Sequence, residues 1–388
     1  MTRLIAVVHN VIIFGATGSI GNSTISVIRR NRDRFRITGL SAHSNFTKLA
    51  HIAREFGVKK IAITDRQKFT SERAESLFPA GTVFLFGMEG NCELAVDDDG
   101  DAILMAIPGT DGILPTMAAI GARKTIMLAS KEVLVAAGKF ITAEAKRLGV
   151  QILPIDSEHN AIFQCLAGGE KFVKRVILTA SGGPLRNHTP NQLKSVAKGD
   201  ALRHPTWSMG AKITIDSATM VNKGLEMIEA KWLFDLIPEQ ISTIVHPESI
   251  VHSFVEFCDG SLLGQLAPHS MESPIAHCLF YPFRERTGSP SLSLSEIGRL
   301  TFMEPNYELF PCLRLAKTCL NDGGNMASVL LGADEVAVEA FLAEKITYLD
   351  IYRIISETLS SYTGEREQTL DGALKTISRA RSVAQALL

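Results

Sequence analysis

Between residues 4 and 155, short apolar runs rich in β-branched residues alternate with longer stretches whose apolar positions recur at helical spacing. Runs at 7–14, 37–41, 60–64, 82–86, 102–107, 125–129 and 151–155 are the expected strands. Strands alternating with crossover helices predict a parallel, doubly wound sheet. A helix is expected over 139–148, where Gly149 stops it. After Asp156 the texture changes. Runs at 173–179, 241–246, 250–257 and 261–267 fit a second, mixed sheet, and Cys258-Asp259-Gly260 joins the last two with the Asp-Gly signal of a tight hairpin.

Residues 281–306 carry Pro282, Pro290, Pro305 and a Ser-rich run, the mark of a linker. Helical spacing without strand signals over 313–320, 327–343, 350–361 and 370–387 closes the chain. The expected α/β architecture therefore has four parts: a Rossmann-like domain over 1–155, a catalytic α/β domain with a mixed sheet over 156–280, the linker over 281–306, and a small all-helical domain over 307–388.

Forty basic residues against 41 acidic ones leave a net charge of −1, so nothing suggests the polyanion-binding surface that nucleic acid would demand, and any phosphate recognition should be local. Six cysteines form no CxxC pair and read as reduced thiols of a cytoplasmic protein. No apolar run approaches the roughly 20 residues of a membrane span, and residues 1–8 are too short for a signal peptide.

Four segments carry chemistry. Gly15-Ala16-Thr17-Gly18-Ser19-Ile20-Gly21 follows the first strand and opens a helix, the context in which a glycine turn admits a pyrophosphate to a helix N-terminus. The second strand ends in Ser41-Ala42-His43-Ser44-Asn45, with no acid to hold a ribose 2′-hydroxyl, so NADP is favoured over NAD. Asp156-Ser157-Glu158 places two carboxylates around a hydroxyl at a strand end, a pattern suited to a metal. The cluster from Asp216 to Glu226 sets carboxylates beside Ser217, Asn222 and Lys223, groups that suit a phosphate and a hard cation.

Four weaker signals accompany these. Ser130-Lys131-Glu132 lies at another strand end of the first sheet, where ligands gather; a surface ion pair is the alternative for Lys131. Thr179 to Pro184 contains Ser181 and two glycines, a possible anion nest or an ordinary loop. His204-Pro205-Thr206-Trp207-Ser208-Met209-Gly210 suits a closing lid, with a packed turn as the alternative. Glu229 is read as a neighbour of the carboxylate site or a solvated side chain.

With these residues in hand, the chain closely resembles the 1-deoxy-D-xylulose 5-phosphate reductoisomerases, NADPH- and divalent-metal-dependent enzymes of isoprenoid biosynthesis. The resemblance runs nearly end to end, through GATGSIG from Gly15, PIDSEHNAIFQ from Pro154, ASGGP from Ala180, HPTWSMGAKITIDSATMVNKGLE from His204 and HPESIVHS from His246. It implies Asp156, Glu158 and Glu226 as ligands of Mg²⁺, Mn²⁺ or Co²⁺, and Ser181, Ser217, Asn222 and Lys223 as holders of the sugar phosphate. Lys131 and Ser157 would meet the substrate's other oxygens, with Lys131, Glu158 and His204 catalytic and His204, Trp207 and Met209 in a flap over the substrate. Gly15, Thr17, Gly18, Ser19, Ile20, Gly21, Ser44, Asn45, Ser130, Lys131, Glu132 and Gly210 would contact the cofactor. The family forms homodimers and acts on a small molecule without nucleic acid or membrane.

Two departures stand out. Family members often carry a basic residue where this chain has Ser44, and an Asn where it has Ser130. Two other readings stay open on the residues alone: an oxidoreductase without isomerisation, whose nucleophile would be Cys165 although nothing in the sequence activates it, and a nicotinamide-binding sensor, for which the carboxylates have no use.

Overall fold

The structure, a computed structural model, describes residues 9–167, 169–286, 290–365 and 369–388. The start of the first expected strand and the whole segment 1–8 lie outside the described residues, as does part of the 281–306 segment. The chain falls into two compact units. One gathers the described residues of Met1–Val133, Ile141–Ser157 and Ser270–Ser289, and the other those of Leu134–Phe140, Glu158–His269 and Pro290–Leu388.

In the first unit seven parallel strands, β1 (His9–Phe14), β2 (Phe35–Ala42), β3 (Lys60–Ile63), β4 (Val83–Phe86), β5 (Ala102–Met105), β6 (Thr125–Leu128) and β7 (Ile152–Pro154), lie in the order β4-β3-β2-β1-β5-β6-β7. Ile12, Ile13, Phe14, Leu40, Ile61, Ile103 and Leu104 are fully buried, as a parallel sheet covered on both faces demands. The order reverses at β1, whose neighbours are β2 and β5, so the carboxyl end of β1 is the switch point where open α/β sheets bind ligands. The helix Glu272–Phe280 also belongs here: Phe280 meets Phe35 edge to face at 5.0 Å, and Glu272 pairs with Arg30 at 2.6 Å. The sequence pattern ends the central domain at residue 280 and gives no sign of that return.

The second unit holds a four-stranded mixed sheet, β8 (Val173–Ala180), β9 (Ile241–Val245), β10 (Val251–Phe257) and β11 (Leu262–Leu266), ordered β11-β10-β8-β9. The β8–β9 pair is parallel and the others antiparallel. Gly260, at φ +86°, makes the β10–β11 turn, and Asp259 accepts the Ser261 N–H at 2.8 Å. Helices Pro311–Asp322, Met326–Leu342, Tyr348–Ser360 and Leu370–Gln385 pack in the same unit. A Cβ on Gly332 would meet the Ile377 carbonyl at 2.8 Å, so glycine there lets the central helix approach the last one. Among the described residues no helix is long and apolar enough to cross a membrane.

Candidate active site

In the first unit the glycine turn joins β1 to the helix Ser19–Arg30. Gly15 sits at φ +76°, and a Cβ there would meet the Ala106 carbonyl oxygen at 2.4 Å. A Cβ on Gly21 would meet the Gly15 oxygen at 2.5 Å. Both positions therefore require glycine, and the turn lies flat against the switch point. Gly18 precedes Ser19 and Ile20 as an N-cap without a side-chain partner, and the first turn holds no acid, so its N–H groups suit an anion. The turn is fixed to its neighbours: Ala16 N–H donates to the Ser41 carbonyl at 2.8 Å, and Lys48 Nζ to the Thr17 carbonyl at 3.1 Å.

Asn45 spends its side-chain oxygen on capping the helix Phe46–Phe56, while Ser44 is half-buried beside it. At the end of β6, Ser130 caps the helix Lys131–Leu148, with Glu132 in its first turn, and its hydroxyl donates to the Ile107 carbonyl at 2.5 Å. That helix starts earlier than the expected 139–148. The buried Lys131 Nζ lies 3.0 Å from Asp156 Oδ2, so the lysine is placed inside the fold rather than on its surface. Ser157 begins the next helix, Ser157–Cys165.

In the second unit Glu158 and Glu226 each offer a carboxylate oxygen within 4.8 Å of the other. Lys223, 3% exposed, joins them: Nζ donates to Glu158 Oε1 at 2.8 Å and to Glu226 Oε2. Burial pushes the Lys223 ammonium down, but the two carboxylates outweigh it and hold the group above the usual lysine range. Asn222 donates to Glu226 Oε1 at 2.6 Å. In this structure, then, the amide and the ammonium expected to hold phosphate both serve the carboxylates.

Three of these four groups stand on the helix Val221–Leu233, which lies close against Pro311–Asp322 because a Cβ on Gly224 would stand 2.2 Å from that of Ala316. Behind it His159, which no sequence signal marks, donates from Nε2 to the Glu226 carbonyl at 2.9 Å. Its Nδ1 lies 3.2 Å from Glu229, and both side chains are buried. Glu229 is thus a neighbour of the carboxylate site.

Ser181 and His204 meet at 3.0 Å. His204 Nδ1 accepts the backbone N–H groups of Trp207 (2.9 Å) and Thr206 (3.2 Å), which puts the imidazole proton on Nε2, donated to Ser181 Oγ. Burial, with Arg186 adding to it, lowers the His204 pKa to about 4, so the ring is neutral near pH 7. Ser181 Oγ also accepts the Gly183 N–H at 3.1 Å, leaving its own proton for a further acceptor. A Cβ on Gly183 would meet the Ser217 carbonyl oxygen at 2.5 Å, so the glycine loop abuts the helix Ala211–Thr219 that carries Ser217.

Residues 204–210 form no regular element, and Gly210 is the N-cap of that helix. Trp207 packs against His252 and His269, with centroids 6.3 and 5.7 Å away, and Met209 is half-buried. Asp216 does not join the carboxylate pair. Its Oδ2 receives Lys212 Nζ at 2.6 Å, and the same ammonium reaches the fully buried Asp334 at 2.7 Å.

Family profiles described as 1-deoxy-D-xylulose 5-phosphate reductoisomerase (residues 11–138), its C-terminal domain (152–234) and a DXP reductoisomerase C-terminal domain (266–383) match the chain. A reductoisomerase of Prosthecochloris aestuarii is 45% identical over 97% of this chain and 98% of its own. The chain belongs to the 1-deoxy-D-xylulose 5-phosphate reductoisomerase family. Within it, a Thermoanaerobacter sp. relative is 47% identical over 93% of this chain and 94% of its own. A reductoisomerase from Zymomonas mobilis, solved in complex with NADPH, superposes at a TM-score of 0.91 with 40% identity, covering 98% of this chain and 99% of that one. Another, in complex with NADPH, fosmidomycin and magnesium, gives 0.90 with 41% identity over 98% of both chains.

Proposed function

We propose that this protein isomerises and reduces 1-deoxy-D-xylulose 5-phosphate to 2-C-methyl-D-erythritol 4-phosphate, using NADPH and a divalent metal. The observation that carries the reading is its end-to-end likeness to a reductoisomerase solved with NADPH, fosmidomycin and magnesium. Bound NADPH supplies the hydride, and a bound divalent ion supplies Lewis-acid polarisation of neighbouring ketone and hydroxyl oxygens. The residues suit both. The glycine turn leaves room and N–H donors for a pyrophosphate, and Glu158 and Glu226 already take a cation, the Lys223 ammonium, between them. Asp156, two residues before Glu158, would complete the ligand set, whose carboxylates suit Mg²⁺ and Mn²⁺ and accept Co²⁺.

The chain's own groups do the rest. Ser181, Ser217 and, once released from the carboxylates they serve here, Asn222 and Lys223 would anchor the phosphate, far from the reacting carbons, so that its binding energy aligns the substrate. The free Ser181 proton is the donor aimed at that phosphate, held by His204 from behind. Lys131 holds a proton beside Asp156 and can donate to a substrate oxygen, and Ser157 orients the same oxygens. Trp207 and Met209 exclude water when residues 204–210 cover the site.

The exposed β11 edge, with Leu262, Leu263 and Leu266 at 50, 48 and 36% exposure, supports a homodimer built on this sheet. The six cysteines, none of them joined in a disulfide, support a cytoplasmic location. Incubation with 1-deoxy-D-xylulose 5-phosphate, Mn²⁺ and NADPH should consume absorbance at the nicotinamide band. No consumption at any metal concentration overturns the reading.

A further inference from the structure

NADPH differs from NADH by a 2′-phosphate on the adenosine ribose, and in a doubly wound sheet that ribose lies past the end of the second strand. The residues after β2 in this chain, His43, Ser44 and Asn45, bring a hydroxyl and an amide but no firm positive charge. The amide oxygen is already committed to its helix cap. The neighbouring acid, Asp65, is engaged elsewhere. Its backbone N–H reaches the His43 carbonyl at 3.2 Å, while its carboxylate caps the next helix by accepting the Lys68 N–H at 2.9 Å.

Lys48 fills the gap. It stands in the first turn of the helix Phe46–Phe56 and reaches back to the glycine turn, donating from Nζ to the Thr17 carbonyl at 3.1 Å. Because Ala16 is itself bonded to Ser41, this contact holds the ammonium where the turn and the end of β2 meet. Among the described residues no carboxylate pairs with it, and an ammonium with one N–H spent keeps two more to donate. The helix N-terminus beneath it adds favourable dipole.

We propose that Lys48 is the cation that recognises the 2′-phosphate and gives this chain its preference for NADPH, in the role for which relatives of this family use a basic residue at the position of Ser44. The inference rests on the cofactor reading above. Another cation lies nearby, Arg66, but its guanidinium sits 4.9 Å over the Phe86 ring.

The test is direct binding without substrate or metal, following nicotinamide fluorescence as NADPH or NADH is titrated into the full chain, with adenosine 2′,5′-bisphosphate as competitor. Lys48→Met should weaken NADPH and the bisphosphate by roughly tenfold or more, the scale of one charge-assisted hydrogen bond, while leaving NADH within about twofold. Lys48→Arg should keep most of the preference, and Ser44→Lys placed in the Lys48→Met protein should restore it. An unchanged NADPH-to-NADH ratio in Lys48→Met, an equal loss of both nucleotides, or a loss that follows Arg66→Met instead overturns the assignment. If the unaltered protein binds neither nucleotide, the cofactor reading itself has failed; if it binds both equally, the failure is that of Lys48 alone.

Discussion

Lys223 is 3% exposed, and its ammonium is tolerable there because Glu158 and Glu226 face it. Glu226→Gln removes one of those charges together with one expected metal ligand, so turnover should fall nearly to zero while NADPH still binds the glycine turn. Rates measured against Mn²⁺ concentration check this, and a wild-type rate in the mutant would remove Glu226 from the site. Losing one partner of a buried ion pair typically costs about 3–5 kcal/mol; Gln keeps an acceptor for Lys223 and should lose less.

His204 titrates in the opposite sense to a paired base. Its pKa is lowered by burial to about 4, so between the ordinary value near 6.5 and about 4 the unfolded chain binds the proton that the native ring refuses. Stability is therefore intact above pH 6.5 and declines as pH falls toward 4. His277, also lowered to about 4 by burial, adds to the same slope. Unfolding midpoints across that range should fall less steeply for His204→Gln than for the unaltered protein; an identical slope would assign the effect elsewhere. Residues of this kind were half legible. Gly15 and Gly21 declared themselves because a turn between strand and helix restricts them to glycine, whereas Lys48 gave no signal, since its partner lies 31 positions away.

At the level of elements, the eleven strands among the described residues were legible because alternating or continuous apolar runs of four to eight residues have few other uses. The helix Lys131–Leu148 was read short because residues 133–137, Val-Leu-Val-Ala-Ala, form a continuous apolar run without helical alternation, and Gly138 follows it. The clamp of Lys212 between Asp216 and Asp334 was invisible, its ends being separated by 122 positions. It braces an element of the proposed site, since Lys212 lies in the first turn of the helix that follows residues 204–210 and carries Ser217. Asp334→Asn should leave NADPH affinity unchanged and raise the KM for the sugar phosphate several-fold, with a smaller effect on kcat. Steady-state kinetics decide it, and an unaltered KM would reduce the clamp to packing.

For the whole molecule, the grouping of the described residues of Ser270–Ser289 with the N-terminal residues escaped the sequence because Phe280 and Glu272 look like any amphipathic helix until Phe35 and Arg30 stand beside them. The β11 edge makes the remaining prediction. Leu263→Lys puts a charge on an exposed apolar strand, and if this sheet pairs two copies as proposed, sedimentation should show dimer for the unaltered protein and monomer for the variant; a dimer that survives the substitution would move the interface elsewhere. A final consequence follows from the ammonium lodged between Glu158 and Glu226. Many metalloproteins lose their shape when starved of metal, because like charges are left facing each other. This chain carries its own counter-ion, so chelation should silence it without raising the share of open chains offered to proteases. Its lifetime in a cell should thereby be independent of the magnesium supply, with activity returning on refeeding without new synthesis.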